Sequence, residues 1–432
     1  MKELFKQLVL DESPLRRFEM AEVYSSCQKT HVHEISPSSY LSFEKNITGT
    51  SLRSFDKSGK KGFLHVHDGP IITSNWLENS FINPIEYSEL PTVPVKDTLF
   101  LSKHKQPEFN IHEVFCMLNE HALKRNCCID KLIIENHIKI FKIANTNGVR
   151  GYGYEKMSGF NFDINYNSST YSFSKIQECI NVESMFSIVE NIALCSNTKS
   201  KHIPNINLVM LSNTAVFELV YLLLFFLNSS WIKTNNSFFT EKIDTLIGTQ
   251  IISPLISITE NSLYNKIVGG ITDAEGTVRQ PAKIIENGNL IQPLSSHSDN
   301  IKSIPTASAY RLDYSITPQT RATSVAVDAG AVSSSEIIRK NDYISVLESF
   351  QGMSESINPI TLEFSAILEL KTYNYGNYLG SRRLRINSNL LRVLCSIEAI
   401  SADCEYTGDG SILAPNMLCN LSDVGIIVSE LL

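Results

Sequence analysis

A basic field is missing from this sequence. Its 38 lysines and arginines stand against 45 aspartates and glutamates, for a formal net charge of −7, so there is no general surface for a phosphate backbone and nucleic-acid binding is excluded. A cysteine framework is missing too. The nine cysteines are odd in number, none falls in a C-x-x-C pair, and the adjacent Cys127 and Cys128 mark no staple, so reduced thiols are expected. The longest apolar run, 215–227, is broken by Glu218 and falls short of the roughly 20 residues that cross a bilayer; it reads as a buried helix, and no membrane partner is expected. The opening MKELFKQLVLDESPLRR is one amphipathic turn followed by charges and proline, not a signal-peptide core, so a cytoplasmic location is expected. Catalytic signatures are equally scarce. There is no Gly-x-Ser-x-Gly elbow and no glycine-rich phosphate loop; Gly148, Gly151 and Gly153 sit in a hairpin region and open no helix.

What is present is enough apolar material for a full core: 43% of 432 residues, a length that suggests two or three domains rather than one. From about 19 to 75 apolar and polar residues alternate around turn signals, which predicts a curled antiparallel sheet after a first short helix. Ile111, Val114, Phe115, Leu118 and Ala122 recur at helical spacing. Strands are expected at 131–134, on both sides of Asn147-Gly148, and at 206–210. A helix is expected over 174–196, and another begins near Asn213, capped by Ser212 or Asn213. Past about 235 helical signals thin out. The polar, turn-rich stretch 228–240 is the best boundary from composition. The expected fold class is α+β: a mixed α/β N-terminal domain, 1–230, followed by a mainly antiparallel β-sheet C-terminal domain, 231–432.

The densest signal lies between Gly269 and Leu294. Ile284-Ile285-Glu286-Asn287-Gly288-Asn289-Leu290-Ile291 reads as two short strands joined by Asn-Gly, the pair that tolerates positive φ at both positions of a type I′ turn. Just upstream, Asp273, Glu275, Gly276 and Arg279 put two carboxylates, a permissive glycine and a guanidinium on one connection. Such a loop reads either as a solvated turn carrying a salt bridge or as a functional element.

This stretch resembles the D-x-E-G loop and following hairpin of the TldD/PmbA family of peptide-processing proteins. Three further segments are similar to that family's in the same order: Ile143-Ala144-Asn145-Thr146-Asn147-Gly148-Val149, then Asn358-Pro359-Ile360-Thr361-Leu362-Glu363-Phe364-Ser365, then Gly410-Ser411-Ile412-Leu413-Ala414-Pro415-Asn416-Met417. The resemblance implies the same α+β architecture. It also implies where metal chemistry belongs: in the catalytic branch the helix after the central strand carries H-E-x-x-x-H, and a cysteine precedes the glycine of the last segment. Here 211–221 contains no histidine, Glu218 is the only ionisable group near the expected place, and Asp409 stands before Gly410.

Other metal pairs are possible on type alone. His31 and His33, like His65 and His67, share a strand face, yet each pair lacks an evident third ligand. His112 and His121 are about 13 Å apart along one helix at a rise of 1.5 Å per residue, too far to share an ion. The resemblance therefore implies a TldE/PmbA-like, zinc-free chain: the non-catalytic subunit of a heterodimeric TldD/TldE-type metalloprotease of bacterial type that trims or matures peptides. No catalytic or metal-binding residue is expected in it, and zinc is expected in the TldD-like partner. An extended peptide substrate would pair with sheet edges. Asp273, Glu275, Gly276 and Arg279 are the candidate interface or chamber loop, with a structural role left open, and Asn358 and Pro359 are expected to set a turn. A stand-alone homodimer that binds peptides without cutting them is the alternative.

Overall fold

Long alternating stretches of sequence become long strands. The computed structural model describes residues 20–55, 60–67, 81–84, 110–166, 169–177, 180–197, 207–261, 263–299, 305–420 and 425–431, together with Leu8, Leu10, Glu12, Leu15 and Ser422. The expected first helix lies, apart from those isolated positions, outside the described residues, as do positions 56–59 of the expected turn between the second and third strands. Strands β1 (Met20–Ser36) and β2 (Ser39–Phe55) form a hairpin in register from Ser36↔Ser39 to Met20↔Phe55. Strands β3 (Lys60–His67), β4 (Phe81–Pro84), β5 (Cys127–Asn145), β6 (Arg150–Tyr166) and β7 (Ser169–Gln177) extend it. Helix α1 (Ile111–Leu123) buries Ile111, Val114, Phe115, Leu118 and Ala122, the positions that sequence spacing marks. It packs on Leu132, Ile134, Phe160, Phe162 and Ile164 of β5 and β6, together with Met185 and Val189 of helix α2 (Val182–Asn197).

The expected helix over 174–196 begins late. Alternation continues through Ser172-Phe173-Ser174-Lys175-Ile176-Gln177, which pairs with β6 as far as Ser158↔Gln177, so strand pairing wins there. The helix starts only after Asn181, whose side chain accepts from the Glu183 N–H at 2.9 Å.

The second sheet opens with β8 (Leu208–Leu211), followed by α3 (Asn213–Phe226), capped by Ser212 accepting from the Ala215 N–H at 3.2 Å. Then come β9 (Ile258–Glu260), β10 (Val268–Gly270), β11 (Ala282–Glu286), β12 (Asn289–Leu290), β13 (Ala309–Tyr310), β14 (Gln319–Thr320), β15 (Val325–Val327), β16 (Ile344–Gln351), β17 (Glu363–Asn374), β18 (Asn377–Asn389), β19 (Ile397–Thr407), β20 (Ile412–Asn420) and β21 (Gly425–Leu431). The order is β12-β11-β9-β15-β20-β8-β16-β17-β18-β21, with β19 on β20 and β13-β14 as a separate pair. Among the described strand-to-strand ladders only β15–β20 and β16–β8 run parallel. The fold is α+β.

Helix α3 supplies much of the larger core. Ala215, Val216, Leu219, Val220, Leu223 and Leu224 are buried in one cluster with Leu368, Leu370 and Leu384 of β17 and β18. At β16 a bulge shifts the register between Leu347 and Phe350, and the Phe350 N–H finds the Glu218 carboxylate at 2.7 Å. Glu218 thus satisfies a displaced backbone donor. Strand β10 leaves the second half of the chain to pair with β6 at Val268↔Glu155, lengthening the first sheet to β10-β6-β5-β1-β2-β3-β4. Among the described residues no helix is long and apolar enough to cross a membrane.

Candidate functional site

The loop from Asp273 to Arg279 is buried, not solvated. Asp273 and Glu275 have no exposed surface. Asp273 folds the loop on itself: one carboxylate oxygen accepts from the Glu275 and Thr277 N–H groups, both at 2.9 Å, and the other from Ala309 N–H at 3.1 Å. Gly276 takes φ +86°, and a Cβ there would press on Val149 at 2.9 Å. Arg279 closes the loop, donating from Nε to Thr272 O at 3.0 Å and from Nη1 to Asn261 Oδ1 at 2.7 Å.

Glu275 points into the first sheet. Arg53 of β2 donates to it at 2.7 Å and to Glu22 of β1 at 2.7 Å, and Glu22 also receives Arg311. Ser298 adds its N–H to Glu275 at 2.9 Å. Two guanidinium groups and two carboxylates, each at most about 1% exposed, form this cluster. Ions buried this deeply hold their charge only because each is paired. Burial alone would raise the Glu275 pKa, but Arg53 and the Ser298 bonds outweigh it and hold it down to about 2. Asp273 is pushed up to about 7, by burial first and by Glu275 second. The Asn358–Pro359 turn lies elsewhere. Asn358 Oδ1 accepts from Ile360 N–H at 2.8 Å and Pro359 O from Phe238 N–H at 2.7 Å, and neither residue shares a bond with the Asp273 loop among the described contacts.

A second cluster forms where α3 meets the 408–410 turn. A Cβ on Gly408, which has φ +60°, would collide with the Phe217 ring, and Phe217 stacks on Tyr221 one turn along, ring centroids 5.5 Å apart. Asp409 accepts from Ser411 N–H at 2.9 Å on one oxygen and from Arg321 on the other. The Arg321 guanidinium also lies over the Tyr310 ring at 4.7 Å, and Lys139 Nζ over the same ring at 4.3 Å. Lys139 pairs with Glu155 at 2.7 Å. Burial works to lower the Arg321 pKa, but Asp409, Tyr310, Tyr221 and Glu155 together raise it.

A model of the PmbA/TldA metallopeptidase C-terminal domain matches residues 207–425, the span that carries both the Asp273 loop and the α3–Asp409 junction. The chain belongs to the PmbA/TldD family. Its fold is that of TldE from Thermococcus kodakarensis, at a TM-score of 0.80 and 17% identity over 97% of this chain and 99% of that one. It is also that of a protein from Thermotoga maritima described as a candidate modulator of DNA gyrase, at 0.76 and 17% over 97% and 98%. A counterpart from Bacteroides thetaiotaomicron matches at 0.75 and 15% over 100% and 97%. Comparison with curated proteins finds no match.

Metal chemistry in a PmbA/TldD protein can be tested against the donors at this junction, and they do not fit a zinc ion. Phe217 has no donor atom, both Asp409 oxygens are engaged, and Arg321 is a fixed cation that would repel a second one. The histidine pairs are committed elsewhere. His67 Nδ1 bonds the Tyr314 hydroxyl at 2.7 Å with His65 on the same ring, His31 meets Glu44 at 2.5 Å, and His33 meets Tyr40 at 3.1 Å. Among the described residues no three His, Cys, Asp or Glu side chains gather as a metal site. Sequence reasoning found Asp273, Glu275 and Asp409 but missed Glu22, Arg53, Arg311 and Arg321. The one available signal was Glu22 and Arg53 standing inside strand-like stretches, Met20-Ala21-Glu22-Val23-Tyr24 and Ser51-Leu52-Arg53-Ser54-Phe55, where an isolated charge must find a counter-ion.

Proposed function

We propose that this chain is the TldE-like, non-catalytic subunit of a peptide-trimming metalloprotease, with zinc and hydrolysis supplied by a TldD-like partner. The observation that carries the reading is the composition of the α3–Asp409 junction: with Glu218 in the place of the motif glutamate, Phe217 and Leu222 hold the positions where the resemblance implies histidines, and Asp409, paired with Arg321, holds that of the cysteine. In this reading the chain contributes chamber wall and strand edges, against which an extended peptide pairs through its backbone. The Asp273–Arg279 loop braces the inner side of that wall. Two structural units are proposed as well; β8 and α3, although they precede 230, are counted with the second because their strand partners and core lie there.

Native mass spectrometry with metal analysis, on this chain alone and after co-expression with a TldD-like protein, tests the proposal. A metal-free chain that joins a zinc-bearing partner and supports peptide cleavage only in the pair is the expected result. A homodimer that binds peptides uncut is the alternative outcome, and a chain that carries its own zinc and cleaves unaided removes the reading altogether.

A further inference from the structure

We infer that the outer half of the sheet face over which residues 309–314 pass is a seat for an extended, uncharged stretch of peptide, lying across β2, β1 and β5 beside that segment. The inference takes its peptide from the reading above and adds a place. The chain itself shows what this face holds. Residues 309–314 run crosswise over the strands, which grip them by their carbonyls: Lys139 of β5 donates to Arg311 O and Gln28 of β1 to Leu312 O. Gln28 and Lys139 are cross-strand partners, with Ile47 of β2 on the other side of Gln28. Side chains two positions along a strand share a face, so the next rung outward is Lys45, Thr30 and His137, themselves in register. Successive rungs lie about 7 Å apart at 3.4 Å per residue, enough for a second extended chain beside the first. This rung offers the same kind of donor. The Thr30 hydroxyl and His137 Nδ1 bond each other at 3.0 Å, and with Nδ1 accepting, the ring proton sits on Nε2 and is available to a carbonyl. Burial, first among its causes, lowers the His137 pKa, in keeping with a neutral ring. One rung further Val32 and Phe43 are partners, and Glu34 and Leu41 follow. Phe43 and Leu41 are 46% and 53% exposed; the opposite face, through Ile35, Leu132 and Ile134, is the one that α1 covers. Charge decides the class of occupant. On these three strands outward of Lys139, Lys45 and Lys131 stand against Glu34 and Glu135, and Lys131 pairs with Glu34 at 3.0 Å. That balance leaves no field for a phosphate or a charged head group, whereas carbonyl donors beside an apolar floor suit a neutral peptide with an apolar residue turned down on Val32 and Phe43.

The test is fluorescence anisotropy of a labelled, end-capped peptide of alternating leucine and threonine, titrated with the purified full-length chain and no partner. The unmodified chain binds it, and binds the same peptide with glutamate in place of leucine more weakly. Phe43→Asp and Leu41→Asp each weaken binding by about tenfold or more. His137→Leu weakens it too, while His137→Gln, which keeps a donor as Gln28 does, leaves it unchanged. Leu263→Asp, on an 83% exposed side chain of the second half, has no effect. No binding up to about 1 mM, or equal affinity of F43D, L41D and the unmodified chain, overturns the inference. So does loss of self-association, or of binding to a TldD-like protein, in F43D with peptide affinity intact, which makes the face a subunit contact. Melting curves check that each variant folds; should an aspartate variant not fold, the serine variant at the same position takes its place. Failure of the subunit reading is a separate result, absence of a complex in the native mass spectra, and it leaves this titration untouched, so the two failures are told apart.

Discussion

Arg53 is the residue on which the buried ion cluster turns, because it touches carboxylates from both halves of the chain, Glu22 and Glu275. Replacing it with methionine leaves two buried carboxylates short of a partner, and breaking such a pair costs about 3–5 kcal/mol; urea denaturation of Arg53→Met against the unmodified chain measures this. The cluster also sets an acid limit. Glu275 has its folded pKa lowered to about 2 from an ordinary 4.5, so its contribution is complete above the unfolded value and disappears as pH falls from about 4.5 toward 2. Glu275→Gln flattens this part of the stability profile. Glu218 has the opposite sign. Burial raises it to about 7, so the folded state holds a proton that the unfolded chain releases, and stability declines as pH rises between about 4.5 and 7. Glu218→Gln keeps an oxygen for the Phe350 N–H and removes the decline, so the variant is the more stable of the two at pH 8 and equal to the unmodified chain at pH 4. The residue types at Asp273, Glu275 and Arg279 were legible in the sequence. Their setting was not, because Arg53 and Glu275 stand 222 positions apart and no local pattern pairs them.

At the scale of elements, turns were the most legible part of the chain. Asn287 and Gly288 take φ +48° and +77°, the pair of positive angles that a type I′ hairpin requires. At Asn147-Gly148 only the glycine, at +84°, is left-handed, and Asn145 O accepts the Gly148 N–H at 3.1 Å, so the same dipeptide makes a different turn. The surroundings differ as well. A Cβ on Gly288 would meet Ile252 O at 2.5 Å, whereas nothing lies within 4 Å of one on Gly148. Gly148→Ala therefore costs only the left-handed backbone penalty, about 1–2 kcal/mol, and Gly288→Ala costs more, a ranking that paired thermal melts resolve. Helix α1 was legible because its buried stripe keeps a helical period. The 174–196 stretch misled because apolar spacing in Phe173, Ile176 and Ile180 fits both a strand end and a helix, and pairing with β6 decided in favour of the strand.

At the scale of the molecule, the two sheets share elements in a way that no composition break reveals. Strand β10 belongs by sequence to the second half and by hydrogen bonding to the first. The segment 309–314 crosses over the first sheet, where Gln28 and Lys139 donate to the Leu312 and Arg311 carbonyls, Ser51 and Glu22 hold the Arg311 side chain, and Gly49 leaves room for the Tyr314 ring, which a Cβ would meet at 2.5 Å. Linear sequence reasoning could not see this, since every one of these contacts joins residues from opposite ends of the chain. Such a junction makes the stability of one sheet depend on the other. Hydrogen exchange under native conditions should therefore show the slowest amides of β1 and β5 opening with the same free energy as those of β16 and β17, as one cooperative unit. Arg311→Met removes the buried ion that ties the segment down while leaving Arg53 on Glu22. In that variant β1, β2 and β5 should lose protection first, with β16 and β17 retaining theirs. Equal loss in both sheets would mean that β10 and the Asp273 loop suffice to couple them, and equal retention would mean that the segment carries no coupling at all.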